Sequence, residues 1–300
     1  MLKTRTDILV YVFILFSLVP LSGCVVQSSE QGTVTTSQIF IENKGSDTIV
    51  NLALAWAEAY QEIRPDISVS VTGGGSGTGI AALINGTVDI ANASRQIKEE
   101  EIANAEANGI TPVEHVIARD AIAVVIHPDN PVNELSIDQV SAIYSGEITN
   151  WLEVGGEDRP IVCLSRETNS GTHVYFLEQV IRKGDPEDTT LFSPSVLLLP
   201  SSEGISMEVR QNPNTIGYDG LGYVTEGMKV IAVASDPAGP YVLPSIETVN
   251  NNQYPISRDL YMYTAGEPEG VIKTYLEWVL SEEAQQVVSR LGFVPVETGE

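Results

Sequence analysis

The sequence is poor in the residues that build metal centres. Three histidines and two cysteines are scattered through 300 residues. They lack the spacing a zinc site needs, so neither a metal nor a cofactor is expected. Cations are scarce as well: 16 Lys and Arg stand against 40 Asp and Glu, for a formal net charge of −24. A duplex-binding protein needs a basic footprint, so nucleic acid is excluded as a partner. The same charge does not exclude a small anionic ligand. Surface charges are screened beyond about 10 Å at ordinary ionic strength, whereas buried donors a few ångströms away are not. Long apolar runs are missing apart from residues 8–21, which are too few for a comfortable membrane span.

Lys3 and Arg5 precede that apolar run and small residues follow it, the order of a secretory signal. It ends in Leu21-Ser22-Gly23-Cys24, which resembles the lipobox of secreted lipoproteins, where the Cys thiol is lipidated and becomes the first mature residue. The resemblance implies a signal peptide over residues 1–23, a lipid on Cys24 and a Ser- and Thr-rich tether over residues 24–37. It also implies an extracytoplasmic location, anchored to the outer face of the cytoplasmic membrane. Cys163 is then left without a disulfide partner. Within Ile161-Val162-Cys163-Leu164 it reads as a small buried hydrophobe.

From residue 38 onward, strand-like and helix-like segments alternate. Residues 38–42 read as a strand, and Ile49, Leu52, Trp56, Tyr60 and Ile63 then fall at helical spacing, with Ser46 or Asp47 as N-cap candidates. Further strands are expected at 67–71, 88–91, 120–127, 161–164, 215–218 and 230–233. Helices are expected at 80–85, 137–144, 172–183, 204–211 and 268–291. The alternation implies an α/β fold with a mostly parallel sheet covered by helices.

Three segments place small hydroxyl or glycine residues where a strand gives way to a helix: Gly45-Ser46-Asp47-Thr48, Gly73-Gly74-Gly75-Ser76-Gly77-Thr78, and Ser165-Arg166-Glu167-Thr168-Asn169-Ser170-Gly171-Thr172. A helix start exposes unpaired N–H groups and the positive end of the macrodipole. Glycine permits close approach to that backbone, and a hydroxyl adds a donor. Each segment alone reads more readily as ordinary capping than as a binding site. The third adds Arg166, whose planar guanidinium matches an oxyanion and stays charged when desolvated.

With Val88-Asp89-Ile90-Ala91-Asn92-Ala93-Ser94-Arg95, these segments make the chain resemble the phosphate-binding components of ABC phosphate importers, in the type II periplasmic binding protein class. Two further stretches, residues 143–151 and 215–218, share the likeness, which covers about residues 38–295. The resemblance implies a two-lobed α/β fold, each lobe a mixed sheet flanked by helices, joined by two hinge crossings. One lobe would hold residues 38–117 with 257–300 and the other residues 118–256, with the crossings near 116–120 and 254–259. It implies a monomer that is not an enzyme, with inorganic phosphate, ABC permease subunits and, through the lipid, the membrane as partners. Ser46 and Thr48 would donate from the first lobe, Ser76 from the glycine turn, and Gly77 and Thr78 through their amides. Arg166 would pair with phosphate from the second lobe beside Asn169, Ser170, Gly171 and Thr172.

One departure bears on specificity. Some relatives carry an Asp acceptor where this chain has Ser94, followed by Arg95. Phosphate keeps a proton near neutral pH and sulfate keeps none, so a buried acceptor favours phosphate. Asp47 is the candidate acceptor, with Ser94 or Arg95 filling the vacated corner. The competing readings are that Asp47 caps its helix and that Arg95 joins a surface salt bridge with the acidic run after it. Arg119 and Arg258 read as structural, and His127 and His173 as lone histidines. Tungstate, molybdate and sulfate remain alternative ligands, and a phosphatase-like hydrolase lacks the metal carboxylates or placed base it would need.

Overall fold

The computed structural model describes residues 38–297. The signal peptide, Cys24 and the tether lie outside the described residues. Among those residues no helix is long and apolar enough to cross a membrane.

The chain opens as strand–helix alternation: β1 (Ile39–Gly45), α1 (Asp47–Ile63), β2 (Ile67–Thr72), α2 (Ser76–Ile84), β3 (Ile90–Ala93) and α3 (Glu99–Ala107). A long strand, β4 (Val113–Ile126), follows. Next come β5 (Glu134–Ser136), α4 (Ile137–Ser145), β6 (Val162–Arg166), α5 (Gly171–Phe176), which runs on as a π-helical turn over Leu177–Ile181, and β7 (Leu197–Leu199). After them stand α6 (Ser202–Gln211), β8 (Thr215–Gly220), β9 (Lys229–Val230), β10 (Ala232–Ala234) and α7 (Ile246–Asn250). The chain then returns through β11 (Ser257–Thr264) to α8 (Gly270–Val279) and α9 (Glu282–Arg290).

The strands form one path, β2-β1-β3-β11-β4-β8-β6-β7, with β9 beside β4 and a separate β10-β5 pair. The parallel β1–β2 and β1–β3 pairs follow from the helical crossovers between them. β4 pairs antiparallel with β11 up to Ala121 and with β8 from Ile122 onward. One strand thus belongs to two halves. Each half has its own apolar core. Ile41, Trp56, Leu260, Tyr275 and Phe293 pack in one, and Ile122, Tyr144, Trp151, Phe176 and Tyr218 in the other. The result is the expected two-lobed α/β fold with mixed strand directions.

The structure corrects three local readings. The single helix expected at 268–291 is two, because Ser281 caps α9 by accepting from Ala284 N at 3.4 Å. The strand at 230–233 divides: β9 pairs with β4, whereas β10 pairs with β5. β11 was not expected as a strand, yet it sits at the centre of the sheet between β3 and β4.

Candidate anion-binding site

The carboxyl end of β1 delivers the chain into α1 through Gly45. A side chain at Gly45 would collide with the Asn92 carbonyl, and its φ of 146° suits glycine. The tight approach lets Ser46 N donate to Asn92 O at 2.9 Å, which ties the start of α1 to β3. Ser46 stands at the N-cap but makes no side-chain capping bond. Its hydroxyl is buried and has no partner among the described residues. Ile49 N donates to Ser46 O at 3.2 Å, while the Asp47 and Thr48 amides before it stand at the helix start, where backbone donors lack intrahelical acceptors.

The next residues reach across to the second lobe. Asp47 Oδ2 accepts from Ser202 N at 2.9 Å and lies 3.1 Å from Arg166 Nη2. Thr48 Oγ1 meets Thr172 Oγ1 at 2.8 Å. The Asp47 carboxylate is therefore engaged with the other lobe. Arg166, at the end of β6, is 1% exposed. Its Nη1 donates to Ser202 Oγ and its Nη2 to Pro200 O, both at 2.8 Å. These contacts hold a guanidinium, desolvated and still charged, at the edge of the cleft.

The glycine turn and α5 close the opposite side. Ser94 N donates to Ser76 Oγ at 3.0 Å, and the two hydroxyls lie 3.2 Å apart. Gly171 faces them so closely that a Cβ would strike both oxygens. Glycine is required there by close approach between lobes. Ser170 Oγ accepts from Thr172 N at 3.2 Å and so caps α5. Asn169 is exposed and bridges: its Nδ2 donates to Gly74 O at 2.9 Å, and its carbonyl accepts from Gly77 N at 3.2 Å.

Ser46, Asp47, Thr48, Ser76, Ser94, Arg166, Asn169, Ser170, Gly171 and Thr172 thus come together where the lobes meet. Three of the expected residues are committed otherwise. Thr78 Oγ1 donates back to Gly74 O at 2.7 Å and its amide to Gly75 O at 3.1 Å. The Gly77 amide is taken by Asn169. Arg95 makes a two-pronged pair with Glu101, at 2.8 and 2.7 Å, and also donates to Gln96 O.

Arg258, read from the sequence as structural, also reaches this site. From β11 its Nη1 donates to Ser94 O at 2.8 Å, and its Nη2 lies 2.9 Å from Thr172 Oγ1, 3.1 Å from Asp120 Oδ2 and 3.4 Å from Thr48 Oγ1. One guanidinium therefore touches both lobes and the neighbouring strand β4. Burial pushes the Asp120 carboxyl up, while Arg258 opposes that rise. The available signal was an arginine at the head of an apolar strand, visible only once β11 is recognised. His173, by contrast, lies under the site: its Nδ1 is 3.0 Å from Ser165 Oγ, and burial lowers its pKa.

Two α/β lobes sharing central strands, with helix starts, hydroxyls and guanidiniums converging from both sides, define a solute-binding protein of the periplasmic type. The PBP superfamily domain matches residues 27–283, and the chain belongs to that superfamily. It is 33% identical over 273 residues to the phosphate-binding protein PstS of Pseudomonas aeruginosa, covering 85% of this chain and 83% of that one. With the PstS of Bacillus subtilis it shares 32% over 253 residues, covering 84% and 79%. Among solved structures, a Clostridium perfringens ABC transporter substrate-binding protein with bound phosphate superposes with a TM-score of 0.77 at 32% identity, over 86% of this chain and all of that one. An ABC-type phosphate transport receptor from Vibrio cholerae gives a TM-score of 0.68 at 28% identity, over 86% of this chain and all of that one.

Proposed function

We propose that the protein captures inorganic phosphate between its lobes and hands it to the permease subunits of an ABC importer. The observation that carries this reading is the meeting of Asp47 and Thr48 with Arg166 and the start of α5 from the other lobe, next to a Ser46 hydroxyl that is buried and has no partner among the described residues. A tetrahedral oxyanion has acceptors enough for the donors among them, and the buried guanidinium supplies the countercharge.

Ser46 Oγ and the first amides of α1 bind from one lobe. Arg166, Thr172 and the Gly171 amide bind from the other, with Ser76 and Ser94 beside them. Because neither lobe encloses the anion alone, binding favours the closed arrangement, a population shift driven by contacts made only there. The lobes are residues 38–117 with 257–300, and 118–256. Asp47 is the acceptor that favours protonated phosphate over sulfate, while Ser94 fills the corner held by Asp in some relatives. The protein acts as a monomeric carrier without catalysis, held outside the cytoplasm by a lipid on Cys24.

Calorimetric titration with phosphate, sulfate, molybdate and tungstate tests the ligand. Saturable one-to-one binding of phosphate, with sulfate at least tenfold weaker, is expected. Preference for another anion would replace phosphate as the cargo. Unchanged discrimination in Asp47→Asn would remove Asp47 from the acceptor role.

A further inference from the structure

Behind Arg166 lies a buried carboxyl that the binding scheme above does not use. Asp219, on β8, is 2% exposed. Its Oδ1 accepts from Ser202 Oγ at 2.8 Å and from Gly220 N at 2.8 Å. Because Ser202 Oγ gives its only proton to Asp219, its lone pair is free to accept from Arg166 Nη1 at 2.8 Å. The direction of this chain is fixed: Arg166 to Ser202 to Asp219. The second oxygen, Oδ2, is buried and has no partner among the described residues.

The charged and titratable neighbours come from several elements. Arg166 on β6 favours the carboxylate, whereas Asp120 on β4 opposes it. Tyr218, on the same strand, and Tyr223, in the turn after it, feel the Asp219 charge as well. Asp47 of α1 sits at the far end, on Ser202 N and Arg166. One cation is thus shared by two carboxylates, one in direct contact and one through a hydroxyl.

We propose that Asp219 is a positioning residue for Arg166 that takes up a proton on its unpartnered Oδ2 when an anion is bound in the cleft. This rests on the oxyanion-binding reading above. An arriving anion draws on the Arg166 potential that sustains the Asp219 charge and adds a negative charge of its own. Both changes favour the neutral acid, because a buried charge that loses its compensation protonates. The proton comes from solvent and the product is a carboxylic acid; no ligand bond is made or broken. Oδ1 continues to accept from Ser202, so the guanidinium keeps its place in both states. Burial already pushes the Asp219 carboxyl up to about 7, which puts the exchange within the neutral range.

The test is phosphate calorimetry at pH 7.5 in buffers of different ionisation enthalpy, on the wild type and Asp219→Asn. The difference between the two proteins cancels the titration of free phosphate. The wild type should take up a larger fraction of a proton per phosphate than the Asn variant, whose amide oxygen still accepts from Ser202. Equal proton numbers would overturn the proposal. If the variant does not fold, a carbon-13 titration of the Asp219 carboxyl in the wild type serves instead. A midpoint that rises with saturating phosphate supports the linkage, and an unmoved midpoint overturns it. Absence of any anion binding by the wild type would instead remove the binding reading on which the linkage rests.

Discussion

Two buried guanidiniums serve this cleft, and they are built differently. Arg166 is held from within its own lobe by Ser202 and Pro200, and it meets the other lobe through Asp47 at 3.1 Å. That last contact must break when the lobes part. Arg258 pairs with Asp120, its register partner across the β4–β11 pair, and that contact survives opening. In the proposed cycle, one arginine is therefore a latch that is remade at each closure. The other is a fixed pin in the strands shared by both lobes. A buried positive charge can serve binding or architecture, and the position of its carboxylate decides which.

The comparison is broken most severely at the latch. Arg166→Ala removes a desolvated donor and strands Asp47 and Asp219. Phosphate affinity should fall by about one and a half to three and a half orders of magnitude, from the 2–5 kcal/mol typical of such truncations, while the variant stays folded. Calorimetry beside a thermal melt reads both. The pin should behave oppositely: Arg258→Ala leaves Asp120 uncompensated in a fully buried site. A loss of about 3–5 kcal/mol in urea unfolding is expected, whether or not phosphate is present. If the two arginines exchanged these signatures, the distinction between latch and pin would be lost.

A smaller effect sharpens the comparison. Gly171→Ala adds a methyl group that meets Ser76 and Ser94 of the opposite lobe in the arrangement seen here. The closed state should lose about 1–3 kcal/mol, which weakens phosphate binding while the unfolding midpoint in phosphate-free buffer stays put.

The fold was legible where side chains repeat. The helical spacing of Ile49, Leu52, Trp56 and Tyr60 located α1, and all four are buried. The strand–hydroxyl–helix turns located Ser46, Ser76 and Ser170 because backbone amides at helix starts are a local property. Asp219, Ser202 and the contacts that Arg258 makes with the site were not legible. Their roles come from β11 lying beside β4, and from α6 resting its start on β6 and β8. These are long-range facts that no local spacing encodes. The pairing of Arg95 with Glu101, six residues on, was visible in the acidic run that follows it.

Two lesser effects concern groups the site leaves buried. The raised Asp219 carboxyl binds its proton more tightly in the folded chain than in the unfolded one. Its contribution to stability is complete below the ordinary 3.8 and is lost as pH rises through about 7. Asp219→Asn should therefore flatten that part of the unfolding free energy against pH, as read by denaturant titration. Burial pushes the Cys163 thiol up to about 12. It should react with a thiol reagent only on unfolding, as followed by peptide mass.

The most direct measurement is a crystal structure grown with phosphate. Phosphate oxygens should lie within hydrogen-bond distance of Ser46 Oγ, Arg166 Nη1 and the Gly171 amide together, with donors from both lobes on one anion. A phosphate found on one lobe alone, or a cleft that closes with Arg166 turned away from the anion, would contradict the account.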